Sequence, residues 1–178
     1  MGMRAAPGAI DSVKKNGRGI SITTIGDMPP VGICGSGLVD AISELLKVGV
    51  ITESGRFADE EELEEHLSSR FKGKKGKDFS FILAAEGEYG SNPEVGITQK
   101  DIREIQLAKG AIAAGAQILL DVAGKKFDDI KSVYLAGAFG NYIDIENAVR
   151  ISILPDVPRE RIHPVGNSAG AGVCLMLK

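Results

Sequence analysis

Tryptophan is absent and aromatic residues make up only 5% of the 178 residues. That scarcity argues against a stacking surface for single-stranded nucleic acid. Only two cysteines occur, Cys34 and Cys174. They lie far apart and outside any C-x-x-C spacing, which excludes a sequence-evident zinc site or iron–sulfur cluster within this chain. So few cysteines also suit a reducing compartment. The net charge of -3 disfavours a nucleic-acid partner. Phosphate ligands stay open, because backbone amides bind anions without net positive charge. No apolar run reaches the roughly 18 residues of a membrane span, and no apolar h-region follows Met1-Gly2-Met3-Arg4. The expectation is a cytoplasmic protein with neither membrane nor nucleic acid as partner.

What the chain does have is apolar residues, at 43%, and 23 glycines. One domain with a sizeable core is within reach. Ile20 to Ile25 alternates and is β-branched, which predicts a strand; Met28-Pro29-Pro30 keeps the next segment extended. Leu38, Ala41, Ile42, Leu45 and Leu46 recur at helical spacing, so a helix runs from Gly35-Ser36-Gly37 to about Lys47, with Ser36 as N-cap and Gly49 as terminator. Asp59 to Ser69 reads as an acidic helix with Leu63 and Leu67 on one side. Lys72 to Lys77 reads as a solvated loop, and Phe79 to Ala84 as an apolar strand.

Thr98-Gln99-Lys100-Asp101 has the form of a capping box, with Asp where Glu is commoner. It opens the strongest helix, in which Ile102, Ile105, Ala108, Ile112, Ala116 and Leu119 form one stripe and Gly124 is the C′ residue. Ser132 to Ala136 predicts a buried parallel strand. Ile145 to Ile151 predicts a short helix, Ile162 to Val165 a strand, and Ser168 onward a small-residue helix. This α/β order sets glycine turns at the carboxyl ends of strands, the edge where open α/β sheets bind ligands.

Three such turns are candidates. Gly32-Ile33-Cys34-Gly35-Ser36-Gly37 offers free helix-start amides to an anion, but it is neither a Walker loop nor a full G-x-G-x-x-G, and a tight corner explains it equally well. Asp40, one turn in, faces either solvent or the ligand side, and Cys34 reads as a packed small residue. Leu135 to Asn141 (Leu-Ala-Gly-Ala-Phe-Gly-Asn) is more specific. It removes side-chain bulk where a flat ring or ribose would lie, although close strand–helix packing is the alternative. Phe139 either stacks on a base or fills core. Gly166 to Gly172 ranks last, since close helix packing explains it nearly as well. His66 and His163 have no partner at metal-ligand spacing, no nucleophile elbow or HExxH occurs, and Asp144 and Glu146 suit a helix start.

Taken together, Gly2 to Ile10 (Gly-Met-Arg-Ala-Ala-Pro-Gly-Ala-Ile), Gly32 to Asp40, Ile97 to Ile102 and Leu135 to Tyr142 resemble the reductive activators of corrinoid proteins over nearly the whole chain. This family includes activators of corrinoid iron–sulfur protein and of methylamine methyltransferase corrinoid proteins. The resemblance implies an α/β fold: one partial lobe of an actin/hexokinase/Hsp70-like, ribonuclease-H-type domain, a mixed sheet with helices packed on it. Residues 1–178 would form a single C-terminal lobe fragment of a two-lobed ATPase domain. ATP-driven reduction of Co(II) corrinoid to Co(I) is implied, with ATP/ADP and Mg2+ bound in the full-length protein and electrons from an iron–sulfur cluster in an N-terminal region outside this chain.

The candidate nucleotide-binding residues are Gly137, Ala138, Phe139, Gly140 and Asn141, with Gly35, Ser36, Gly37 and Asp40 near the cleft. No catalytic residue or metal ligand is assigned. The Asp-Ile-Gly-Thr-type phosphate loops of such activators do not occur in this sequence, so the lobe alone is expected to be a poor ATPase. Expected partners are nucleotide, a corrinoid protein, the N-terminal lobe and, through exposed surface, further copies of itself. Alternatives are a lobe of a kinase or acyl-activating enzyme of the same superfamily, or a non-catalytic interaction module.

Overall fold

The computed structural model describes residues 2–17, 19–74, 77–137, 140 and 142–177. The chain divides into two compact units, Met1–Ala108 and Lys109–Lys178.

In the first unit, β1 (Ala9–Asn16) and β2 (Gly19–Thr24) form an antiparallel hairpin with Val13 opposite Ile22. The short β3 (Gly32–Ile33) pairs parallel to β1 on its other side. Helix α1 (Gly35–Lys47) packs on β1 and buries Val39, Ala41, Ile42 and Leu45. Gly37 sets that distance: a Cβ there would sit 2.1 Å from the Ile10 carbonyl oxygen. Gly49, at φ +78°, ends the helix as its spacing predicts.

The acidic segment departs from expectation. Instead of one helix it makes a 3-10 turn at Glu60–Glu62 and a four-residue α2 (Glu65–Ser68), separated by an extended Leu63. Crowded like charges and only one well-buried apolar anchor, Leu67, give a continuous helix little to hold it. The lysine-rich loop is also partly a strand. β4 (Phe71–Lys74), β5 (Lys77–Ala84) and β6 (Val95–Thr98) form an antiparallel sheet in that order. Phe71 stacks on Phe79 with centroids 4.8 Å apart, and Phe57 meets both rings edge-on.

Arg70 locks the far end of this sheet. Its guanidinium grips both oxygens of Glu88, at 2.8 and 3.3 Å, and donates to the carbonyls of Ile82 and Leu83. Burial raises the Glu88 carboxyl, but hydrogen bonds from Arg70 and the Ala85 amide, with the Arg70 charge, outweigh it and hold it below its ordinary value.

The predicted capping box opens α3 (Gln99–Ala123): the Thr98 amide donates to Asp101 Oδ2 at 2.9 Å and the Asp101 amide to Thr98 Oγ1 at 3.2 Å. Gly124 closes it with φ +63°, the Gly124 amide bonding Asp121 O and the Lys125 amide Leu120 O. That pair of bonds is the Schellman arrangement. The stripe is another matter. Only Ile102 is buried, while Ile112, Ile118, Leu119 and Val122 are exposed. By length and composition this 25-residue helix is long and apolar enough to cross a membrane, which amends the expectation that no segment reaches that length. Lys109 and Asp121 would then sit inside the span, where charges are expensive.

In the second unit, β7 (Val133–Ala136) and β8 (Ile162–Gly166) run parallel, with Val133 opposite Ile162 and Ala136 opposite Gly166. Helix α4 (Ile145–Arg150) is capped by Asp144, whose Oδ1 accepts from the Asn147 amide at 2.9 Å, and α5 (Ser168–Met176) follows β8. One buried cluster joins Val149, Val157 and Ile162, with Ile130, Val133, Leu135, Ile145 and Leu154 packed around it, and Ile143, Ala148, Ile151 and Ile153 are buried as well. β7 is parallel as predicted but only half-buried, with Tyr134 exposed, because this two-stranded sheet has too little cover to enclose both faces.

Two outcomes check this packing. Gly37→Ala forces α1 off β1 and lowers unfolding free energy by about 1–3 kcal/mol in denaturant titrations. Glu88→Gln lowers stability by about 1 kcal/mol at neutral pH, since the pair is partly exposed. The folded Glu88 titrates below the ordinary value of 4.5, so its contribution is complete above that value and is lost as pH falls through the lower, folded one. The two proteins should converge there.

Candidate functional site

The first glycine corner is mainly a packing joint. Cys34, not Ser36, is the N-cap of α1, and no side chain caps the helix. Ser36 is buried in the first turn with its hydroxyl 3.2 Å from Cys34 Sγ, so it satisfies a neighbour rather than the helix end. Cys34 is buried as expected, its amide donating to Ile10 O at 3.0 Å. Gly37 is spoken for by its approach to β1. Asp40 is buried, with a bonded side chain. Gly35 alone of the four is exposed.

The second and third corners meet. β7 and β8 are neighbours, and their carboxyl ends are tied by a hydrogen bond from the Gly137 amide to Gly166 O at 2.7 Å. Both glycines have positive φ, +93° and +65°, a conformation that L side chains rarely adopt. Gly140 is buried, and a Cβ on it would lie 2.8 Å from Leu135 O, so the chain folds back over the end of its own strand. At Gly137 a Cβ would meet nothing within 4 Å. At Gly137 a ledge of bare backbone therefore borders space that is open among the described residues, at the carboxyl edge of a parallel pair. Ala138, Phe139 and Asn141 lie outside the described residues.

Across the ledge, Asn167 caps α5 by accepting from the Gly170 amide at 3.0 Å. Gly170 is glycine because a Cβ would press on the Asn167 amide group, 2.6 Å away. Gly166 and Asn167 thus belong with Gly137, although sequence order alone ranks their turn last. The signal that would have promoted it is that both turns repeat strand, glycine, helix, which invites parallel pairing.

A second feature has no counterpart among the predicted residues. The Ser54–Phe57 turn is strapped to the start of α3. Gln99 Nε2 donates to Gly55 O (2.6 Å), Gln99 Oε1 accepts from the Phe57 amide (3.1 Å), and Gln106 Nε2 donates to Ser54 O (3.1 Å). A groove of about 1240 Å³ runs beside this strap. In the second unit a smaller apolar hollow of about 380 Å³ lies between α3 residues such as Ile112 and the Ser152–Asp156 segment. Among the described residues no group of three or more histidine, cysteine or acidic side chains is placed to hold a metal. His66 sits 3.5 Å from Glu64, and His163 lies beside the Tyr134 ring.

Residues 1–178 match the family described as the C-terminal domain of RACo, the ASKHA domain. The chain belongs to this family. The ASKHA domain is 40% identical over 178 residues to the corrinoid activation enzyme RamQ of Eubacterium limosum, covering 99% of this chain and 30% of that protein. It is 27% identical over 190 residues to a [Co(II) methylated amine-specific corrinoid protein] reductase of Methanosarcina barkeri, covering 94% and 30%. A solved structure, titled reductive activator for corrinoid, iron-sulfur protein, superposes with a TM-score of 0.82 at 37% identity, over 94% of this chain and 26% of that one. The fold is therefore the actin-like, mixed α/β ASKHA fold. The chain spans about 30% of the length of the curated relatives it matches.

The ledge of this ASKHA domain rests on its cap. Asn167→Ala is expected to lower stability by about 1 kcal/mol, read as a fall in thermal midpoint, and Asn167→Ser to recover most of it.

Proposed function

We propose that this ASKHA domain binds ATP or ADP along the carboxyl edge of β7 and β8. In the full-length protein, ATP binding and hydrolysis would drive reduction of Co(II) corrinoid to Co(I) on a corrinoid protein. One observation carries the nucleotide assignment: Gly137 presents bare backbone to open space at the tip of a parallel strand pair. Fold supports it, because open α/β sheets bind ligands at this edge. Family supports the chemistry, because the relatives are named for corrinoid activation and for reduction of a Co(II) corrinoid protein.

The residues of the ledge fit a nucleoside. Gly137 puts bare backbone at the strand tip, Gly140 lets the chain fold back over Leu135, and Gly166, bonded to Gly137, keeps the strand tips together. The phosphates and Mg2+ fall to loops of the Asp-Ile-Gly-Thr type carried elsewhere in the full-length protein, as does the iron–sulfur cluster that supplies the single electron taken up by cobalt. The domain is assigned to the cytoplasm, and α3 to packing within the complete protein rather than to a membrane. Lys109 and Asp121 within α3 support packing against protein over a membrane, since charges inside a bilayer are expensive.

Two measurements on full-length protein test the proposal. With reductant and ATP it should convert a corrinoid protein from the Co(II) to the Co(I) absorption spectrum; no ATP-dependent change would refute the activity. Gly137→Ala and Gly137→Leu share the same backbone strain and differ in bulk. The leucine variant should bind ATP at least about tenfold more weakly than the alanine variant by titration calorimetry, a difference of about 1.4 kcal/mol. Equal affinities would move the nucleoside away from the ledge.

A further inference from the structure

Beside the strap between the Ser54–Phe57 turn and α3 stand two arginines whose side chains have no partner among the described residues. Gln99, Arg103 and Gln106 stand at i, i+4 and i+7 and so share one face of the helix. The outer two are occupied in clamping the turn. Arg103 between them and Arg56 within the turn both border the 1240 Å³ groove. Elsewhere Arg70, Arg150, Arg159 and Arg161 each donate to a carboxylate, amide or carbonyl oxygen. The side chains of Arg56 and Arg103 donate to no oxygen among the described residues, and with Lys100 beside them the lining carries three positive charges against the two carboxylates of Asp59 and Asp78.

The groove has a rigid side, because Phe57 and Phe79, which line it, are already packed with centroids 5.8 Å apart. Its volume exceeds the roughly 300–1,000 Å³ of small-molecule pockets, which favours a stretch of polypeptide over a metabolite. Asp59 and Asp78 on the same rim leave the lining only mildly cationic, which suits carboxylates interspersed with apolar residues rather than an unbroken run of phosphodiesters. A guanidinium pairs with a carboxylate through two parallel hydrogen bonds, so unpaired arginines select carboxylate side chains.

We propose that this groove docks an acidic segment of the corrinoid protein, with Arg56 and Arg103 gripping its carboxylates and the phenylalanines taking the apolar residues between. The identity of this partner rests on the functional reading above; the acidic, polypeptide character of the occupant rests on the groove.

The test uses full-length protein carrying both Arg56→Ala and Arg103→Ala, with Arg4→Ala as a control for an exposed arginine that does not line the groove. The double variant should bind the corrinoid protein about tenfold or more weakly and with a flatter salt dependence. Its KM for corrinoid protein should rise in parallel, with ATP affinity and turnover at saturating corrinoid protein unchanged. A double variant that binds like wild type, or an Arg4→Ala that loses as much, overturns the proposal. Should wild type reduce no corrinoid protein, the functional reading fails separately. Fluorescence anisotropy with labelled poly-L-glutamate then decides the groove: binding by wild type that the double variant loses supports an acidic occupant, and no binding by wild type refutes it.

Discussion

The hydrogen bond from the Gly137 amide to the Gly166 carbonyl, 2.7 Å long, holds the tips of two parallel strands together where each leaves the sheet. Parallel ladders have slanted bonds and no hairpin to set their register. A closing bond at the carboxyl end therefore does in the second unit what a tight turn does in an antiparallel pair. It demands left-handed backbone on both sides, at φ +93° and +65°, and only glycine adopts that freely. From it follow the backward fold of Gly140 over Leu135 and the start of α5 at Asn167. The side-chain-poor ledge is a by-product of this geometry, and a binding surface can use it without further construction.

Close backbone approach organises the first unit as well. Gly37 lets α1 come within van der Waals reach of the Ile10 carbonyl, and the buried face of that helix closes over the β1–β2 hairpin. Long-range side-chain bonds then fix what the short strands leave loose: Arg70 to Glu88 and the Ile82 and Leu83 carbonyls, Gln99 and Gln106 to the Ser54–Phe57 turn. Each joins groups distant in sequence, so each reduces the freedom of a loop rather than adding much burial.

Local signals were legible in the sequence and tertiary ones were not. α1 followed from apolar spacing and Gly49, and α3 from Thr98, Asp101 and Gly124, because caps and periodicity act within one turn of the residues that cause them. β1, β3 and β6 carried no comparable signal: Ala9 to Asn16 is mostly charged or polar, and β3 is two residues long. The acidic segment failed as a helix because charge repulsion and a missing anchor outweighed its propensity. At the site, the Gly137 turn was found from strand, glycine and helix order. Its pairing with Gly166 depends on strand neighbours, which no local pattern encodes. Arg56 and Arg103 were invisible for the same reason, since only the folded strap brings them to one groove.

Both glycine corners named for the cleft turned out to mix packing with exposure, and the physical distinction is where a Cβ would point. At Gly37 and Gly140 it points into backbone; at Gly137 it points into space. Hydrogen exchange on the full-length protein, with and without ATP, reads that distinction directly. Nucleotide seated on the ledge should slow exchange of amides in Gly137–Gly140 and Gly166–Gly170 while leaving the amides of β1 and α1 around Gly37 at their nucleotide-free rates. Saturating ATP that leaves both ledge segments unprotected would contradict the account.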